Sequence, residues 1–482
     1  MKHDLYSPAK CHEDPGEKFA RKYPHHHLTF NTRPHLDRRE FFKIAGAGLM
    51  GSYLASPARA ANIQTSGMTT QNTAKKCIFI HLLGGMSHTD TLDLKVVNGV
   101  TPAAFNPTIV NGINWPTGLL PKLGDHLNDI AILRSMSAWA LVHPLAQTWV
   151  QIGRNPAAAL GDIAPNVGSI VSIEKEGERL PGQVFPTFFG LNAGAAAGAG
   201  YLGAAYAPFQ VNPPRNGNAT IPNTTNANGQ TRFNTMYSRL HQYDDALRQG
   251  APYGTALSDL DKLYGQARNM MYSPEVTTAF NMDLANQVRY GNNGAATTFG
   301  NACLIAKQIL EADQGTRFIQ IDYGNWDHHA DIYAANNLPL RGAELDGGLS
   351  ALLDDLKGTG KLSDTLIIVL GEFGRTTGNL SGANGRDHYL ILSALLAGGG
   401  VKGGKVIGAT NAAGSTITDF GWAGTSVTGP KVIRPEDLEC TMYSALGIDW
   451  TTVRYDDPFG RGFEYVPFAK IGTYGPVNEL FT

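Results

Sequence analysis

Short, almost uninterrupted apolar runs recur along the chain, each closing on glycine or on a packet of polar residues. "KKCIFIHLLGG" (75–85), "IAILRS" and "VFPTFFGL" are of this kind, as are "RFIQIDYG", "DTLIIVLGEFG" and "LILSALLAGGG" further on. Runs of this length that do not alternate predict strands buried on both faces, as in a parallel sheet. Between the later runs lie stretches with helical spacing, "AELDGGLSALLDDLKGTG" and "RPEDLECTMYSALGI". Strand alternating with helix predicts an α/β fold, a mostly parallel sheet covered by helices on both faces, with ligands taken at the carboxyl ends of the strands. The strands ending at Gly84, Tyr323 and Leu370 are expected side by side.

The texture changes in the middle. From Leu191 to about Arg232 the chain is Gly, Ala, Asn, Thr and Pro, which predicts an irregular excursion. Helical spacing follows from about Phe233 to Leu310, in "TMYSRLHQYDDALRQG" and in "FGNACLIAKQILEADQG", whose Gly315 is the expected C-cap. Residues 75–482 thus read as one domain with a Gly/Asn-rich and helical insert at about 190–315, lying outside the sheet and shaping the mouth of the site. A linker over 61–74 precedes it.

Ahead of that linker, "LDRREFFKIAGAGLMGSYLASPARAAN" sets Arg38-Arg39 before Phe41, Phe42 and Lys43, then a weakly apolar Gly/Ala run, then Ala58-Arg59-Ala60. This is the pattern of a twin-arginine signal peptide, with cleavage expected after Ala60. It predicts a partner, the twin-arginine translocase, and a periplasmic or extracellular destination. No stretch reaches the roughly eighteen apolar residues of a spanning helix, so the mature chain is expected to have no membrane span.

Setting residues 1–60 aside leaves 29 Lys and Arg against 35 Asp and Glu, from totals of 39 and 41. An acidic balance argues against nucleic acid as a partner. Cys77, Cys303 and Cys440 are too few and too scattered for a disulfide framework and read as small buried hydrophobes.

The chemistry lies where the strands stop. Of the eight histidines beyond the leader, five fall in loops after expected strands or at a helix start. "LLGGMSHTDTLD" offers Ser87, His88, Asp90 and Asp93; "WDHHAD" offers Asp327 and His329 on alternate positions, with His328 facing away; "VLGEFGRT" offers Glu372 and Arg375; "NGRDHY" offers Arg386, Asp387 and His388. His81, inside a strand, reads as a hydrogen-bonded core histidine, and His126 and His241 read as surface residues. Imidazoles and carboxylates together suit zinc, with manganese, magnesium or calcium as alternatives. Together the packets are expected to form a metal or acid–base site; as metal ligands the candidates are His88, Asp90, Asp327, His329, Glu372 and His388.

These stretches, in the order "GGMSHTDTLDLK", "ILRSMS", "WDHHAD", "GEFGRT", "NGRDHY", "LLAGGGVKGGKVIGAT" and "RPEDLECTMYSALGID", resemble an exported family called domain of unknown function fifteen-oh-one, which belongs with the alkaline phosphatase and sulfatase superfamily. The resemblance covers residues 75–455. It implies a three-layer α/β/α sandwich, alkaline-phosphatase-like, and metal-dependent hydrolysis of a phosphate or sulfate ester on a small molecule or glycan. Relatives in the superfamily place an Asp after the first strand, where this chain has Gly84. Sulfatases place a nucleophilic Cys ten residues before a Gly, and here His143 stands ten residues before Gly153. His143 is therefore a candidate catalytic residue, as nucleophile or as ligand, and Arg375 a second. Ser87, Arg386 and Asp387 are candidate substrate contacts. The departures at Gly84 and His143 also fit a different outcome, a non-catalytic exported binding or assembly protein that keeps a degenerate metal site.

Overall fold

The structure, a computed structural model, describes residues 63–194, 196–219, 225, 228–248, 255–291 and 298–482. The expected twin-arginine leader lies outside the described residues. The sheet and the candidate site both belong to the compact unit formed by Ala60–Gln249 and Ala256–Thr482.

Eight strands make the central sheet: β1 (Lys76–Leu82), β2 (Ile130–Ser137), β3 (Phe188–Leu191), β4 (Phe209–Val211), β5 (Phe318–Tyr323), β6 (Thr365–Gly371), β7 (Ile391–Ala397) and β8 (Lys405–Ile407). Their spatial order is β8-β2-β7-β6-β1-β5-β3-β4. All neighbours run parallel except at β7, which is antiparallel to both β2 and β6. As expected, β6, β1 and β5 are adjacent. The register sets His81 beside Asp322 on one side and Leu370 on the other.

Every residue of β1 and β6 is buried, which explains why their sequences do not alternate. Ile78, Ile80 and Leu82 face one apolar layer with the helices Phe299–Ala312 and Leu338–Gly358; Cys77 and Phe79 face the other, formed with α1 (His143–Ile152), α2 (Val167–Lys175) and α3 (Pro435–Ala445). The fold is an α/β three-layer sandwich. Cys77, Cys303 and Cys440 are buried and unpaired.

Three expectations need correction. The segment 190–315 does not lie wholly outside the sheet: Phe209–Val211 pairs with β3 as the edge strand, and Phe299–Ala312 buries Cys303, Leu304 and Ile305 in the core. A run of Gly and Ala hid a three-residue strand whose apolar signal is only Phe209 and Val211. The helix Phe299–Ala312 ends on Asp313 in the left-handed region, two residues before Gly315. His126 is not a surface residue; it is buried, with Asp129 and Asp354 at 3.5 and 3.4 Å from its ring nitrogens. Within 61–74, Ile63–Gln64 pairs antiparallel with Val453–Arg454. Among the described residues no helix is long and apolar enough to cross a membrane.

Candidate metal centre

Parallel strands bring their carboxyl ends to one edge, and the chemistry gathers there. β5 ends at Tyr323 and runs into a loop whose Asn325 and Asp331 hold positive φ, 70° and 43°, which these short polar side chains tolerate. Between them sit Asp327, His328 and His329. β7 runs the other way, so its beginning, not its end, reaches the same edge, preceded by His388–Tyr389, which pairs with Gly374–Arg375 beyond β6. The two loops are zipped together: Asp331 N–H donates to Ala383 O, Ile332 N–H to Asn384 O and Arg386 N–H to His328 O, at 2.9, 3.0 and 3.0 Å. His143 comes from a third place, the first turn of α1, where Pro144 has no N–H to leave unsatisfied.

His143, Asp327, His329 and His388 present four donor atoms, all within 4.8 Å of one another, a set that could hold a metal ion. Asp327 Oδ1 lies 3.0 Å from His329 Nε2 and 3.6 Å from His388 Nε2, and Asp327 Oδ2 lies 3.2 Å from His143 Nε2. His329 Nε2 and His388 Nε2 stand 3.0 Å apart.

The far nitrogen of each ring fixes its orientation. His143 Nδ1 is 2.7 Å from Glu372 Oε1, His329 Nδ1 is 2.8 Å from Asp387 Oδ1, and His388 Nδ1 is 2.7 Å from Leu141 O. Carboxylates and carbonyls only accept, so each Nδ1 carries the proton, and in the neutral ring each Nε2 is a bare lone pair. Three lone pairs then converge on a carboxylate. His143 Nε2 is buried and finds no hydrogen-bond donor or acceptor in good geometry. Such a set is electrostatically incomplete without a cation, and imidazoles held at Nδ1 by acceptors are the usual state of metal ligands. The residues fit a divalent ion.

Hydrogen bonding to Glu372 raises the His143 pKa, against burial, which lowers it. Burial also lowers His388. Burial alone would push Glu372 up, but His143 and other donors bring it below the ordinary carboxylate range; Arg375 does the same for Asp327 against its own burial. Both acids are therefore charged at neutral pH.

Of the expected ligands, Asp327, His329 and His388 are brought together. His88, Asp90 and Glu372 are not in the set. His88 is fully buried with Nε2 2.9 Å from Gly414 O. Asp90 is held by Arg386 at 2.7 Å, by Ser87 Oγ at 2.6 Å and by Tyr333 OH at 2.8 Å. Glu372 accepts from Gly84 N–H at 2.9 Å and from Gln147 Nε2 at 2.9 Å as well as from His143, so it stands behind His143.

The expected substrate contacts are likewise engaged: Ser87 and Arg386 on Asp90, Asp387 on His329. Arg375 is fully buried, with its guanidinium on Asp327 and on the carbonyls of Gly84, Gly85 and Arg386. His328 is buried, outside the set, and burial lowers its pKa to about 4. His81 is buried as expected but neither ring nitrogen has a hydrogen-bond partner; Glu372 Oε2 is 3.9 Å away. Gln147 and the Leu141 carbonyl went unnoticed in the sequence. Gln147 lies four residues after His143, one helical turn on, which was the available signal.

Sterics exclude a side chain at Gly84. Its φ is +111°, and a Cβ there would lie 2.5 Å from the Asp327 backbone nitrogen. The loop carrying Asp327 occupies the space a side chain at this position would need.

A mostly parallel sheet with imidazoles and a carboxylate gathered at its carboxyl edge defines an α/β protein with a candidate metal centre. The chain belongs to the family described as Protein of unknown function (DUF1501), whose model matches residues 74–466. No curated protein matches it by sequence. Solved structures of similar course include a protein in the alkaline phosphatase superfamily from Vibrio parahaemolyticus, 12% identical over 86% of this chain and 76% of that one, TM-score 0.37. Others are the PsFucS1 sulfatase from Pseudoalteromonas sp., 14% identical over 86% and 73%, TM-score 0.36, and the C-terminal periplasmic domain of EcEptC from Escherichia coli in complex with Zn, 9% identical over 80% and 85%, TM-score 0.35.

Proposed function

We propose that the protein is an exported metal-dependent hydrolase of phosphate or sulfate esters, with one divalent ion, zinc, held by His143, Asp327, His329 and His388. The observation that carries this reading is the convergence of three Nε2 lone pairs on one carboxylate. Donors around a tetrahedral zinc stand about 3.3 Å apart, given donor–zinc distances of about 2.0–2.1 Å. From Asp327 Oδ1 the Nε2 atoms of His329 and His388 lie at 3.0 and 3.6 Å, near that spacing, and His143 Nε2 lies 3.2 Å from the other oxygen, Oδ2. Three nitrogen donors also admit manganese and disfavour magnesium and calcium, which prefer oxygen.

When bound, such an ion polarises an ester oxygen and acidifies water. In hydrolysis the oxygen of water bonds to phosphorus or sulfur, the bond to the ester oxygen breaks, and a proton of that water ends on the alcohol. The chain's own contribution is positional. Glu372, Asp387 and the Leu141 carbonyl lock the three rings, and Arg375 holds Asp327. With Nδ1 on Glu372 and Nε2 in the donor set, His143 serves as a ligand and not as the nucleophile. The superfamily resemblance supplies the reaction class, and the Arg38-Arg39 leader supplies the export route.

One observation favours a second reading, a non-catalytic exported binding protein. The guanidiniums of Arg375 and Arg386 are buried on internal acceptors, leaving neither to grip an ester's oxygens. The separating experiment is metal analysis of protein purified after native export, followed by a panel of chromogenic esters. Turnover that disappears in His329→Ala together with the metal supports the hydrolase. Stoichiometric metal without turnover of any ester supports the binding protein.

A further inference from the structure

Which ester suits this site is a question of charge and of what borders the ligands. With a divalent ion in place, the three carboxylates of Asp327, Glu372 and Asp387 are balanced by that ion and Arg375, and the centre is neutral overall. Arg386, the other guanidinium at this edge, is neutralised by Asp90 and is fully buried. A phosphate monoester brings two negative charges to such a centre; a diester or a sulfate ester brings one. The exposed Asp387 carboxylate, beside His329, adds a repulsion that grows with the charge of the ligand.

Exposed aliphatic residues adjoin two of the donor histidines in the chain. Leu141 and Val142, immediately before His143, are 39% and 61% exposed, and Leu390, two residues after His388, is 41% exposed. These residues are held firmly. Leu141 O accepts from His388 Nδ1, and Ala138 N–H donates to Leu390 O at 2.9 Å, so the segment before α1 and the residue ahead of β7 are tied together. Exposed aliphatic groups flanking two ligand imidazoles have no role in holding the ion.

Resting on the hydrolase reading above, we propose that the substrate is an ester with a single negative charge and an apolar substituent that lies on Leu141, Val142 and Leu390. In a phosphodiester one water is consumed; its oxygen ends on phosphorus, one of its protons on the departing alcohol and the other is given up to solvent, leaving the monoester as a dianion. The monoester, doubly charged at neutral pH, is then the poorer ligand and is released.

The test uses full-length exported protein with its metal content measured, and four substrates at pH 8: bis(p-nitrophenyl) phosphate, methyl p-nitrophenyl phosphate, p-nitrophenyl sulfate and p-nitrophenyl phosphate, each rate divided by the uncatalysed rate. The expected order places the diesters or the sulfate ahead of the monoester by at least about tenfold, and the bis-aryl diester ahead of the methyl diester by about tenfold. Val142→Asp and Leu390→Asp should each lower the bis-aryl to methyl ratio while metal content is retained. A monoester that reacts fastest overturns the charge assignment and leaves the hydrolase standing. Equal rates for the two diesters, or a ratio untouched by both substitutions, overturn the apolar contact. Metal-replete protein that cleaves none of the four overturns the hydrolase reading itself, and this proposal with it.

Discussion

The Nε2 atoms of His329 and His388 face each other at 3.0 Å, and each ring's other nitrogen is already committed to an acceptor. Two lone pairs do not approach so closely without something positive beside them. Removing either ring should therefore remove the ion: His329→Ala and His388→Ala are expected to lose bound metal by elemental analysis and to lower the melting temperature. A ligand that binds only the folded chain at a hundred times its Kd contributes about 2.7 kcal/mol. Chelation of the parent protein should reproduce the shift, and chelation of either variant should add nothing to it.

Glu372 stands behind His143, and Gly84 N–H, Gln147 and His143 all donate to it. Glu372→Gln keeps the shape but takes away the charge that fixes the His143 tautomer. Metal affinity should fall about 10–100-fold, the usual cost of losing an outer partner of a ligand. Asp387→Asn should act in the same direction through His329. Unchanged affinity in both would detach these acids from the centre.

Glu439 provides a pH prediction away from the site. It is fully buried, and burial pushes its pKa up to about 8, with Tyr443 and Arg154 opposing. The folded chain then holds a proton that the unfolded chain releases above its ordinary pKa near 4.5. The stabilisation is complete below that value and fades as pH rises toward 8. Glu439→Gln should remove this slope, leaving the variant more stable than the parent at pH 9 by a few kcal/mol, relative to the comparison at pH 5. Denaturant midpoints at the two pH values measure it.

The same carboxylate makes Gly153 irreplaceable. Gly153 ends α1 in the left-handed region at φ 60°, and a Cβ there would lie 1.4 Å from Glu439 Oε2. Gly153→Ala should lower stability by about 2–5 kcal/mol, combining the left-handed penalty of about 1–2 kcal/mol with overpacking of about 1–3 kcal/mol. Because α1 begins at His143, metal affinity should fall as well.

Export is tested by Arg38→Lys with Arg39→Lys, since the pair is read by a receptor. Full-length precursor should accumulate in the cytoplasm, detected by fractionation and mass. Normal processing near Ala60 would assign the leader to another route.

Much of the sheet was legible in the chain because buried strands do not alternate. Asp327 and His329 were expected at alternate positions of a strand's end, but they lie in the loop beyond Tyr323, so it is the fold of that loop and not the strand period that brings them together. Long-range pairing was not legible. Nothing near Asp90 in sequence says that Arg386, 296 residues later, takes its carboxylate and withdraws it from the site. Glu372 reads as a ligand from its place after β6, yet the hydrogen bonds from Gly84 and α1 hold it behind His143. The direction of β7 was equally hidden, since an apolar run reads the same either way.

That reversed strand has a consequence for how the molecule is made. His143, Asp327 and His329 leave the ribosome in order, but His388 is delivered from the front of β7 and its ring is held by Leu141, at the far end of β2. Until β7 is threaded between β2 and β6, His143 stands on one segment and Asp327 with His329 on another, and the fourth donor is missing. Assembly of the four-donor set is thus tied to the insertion of one late strand.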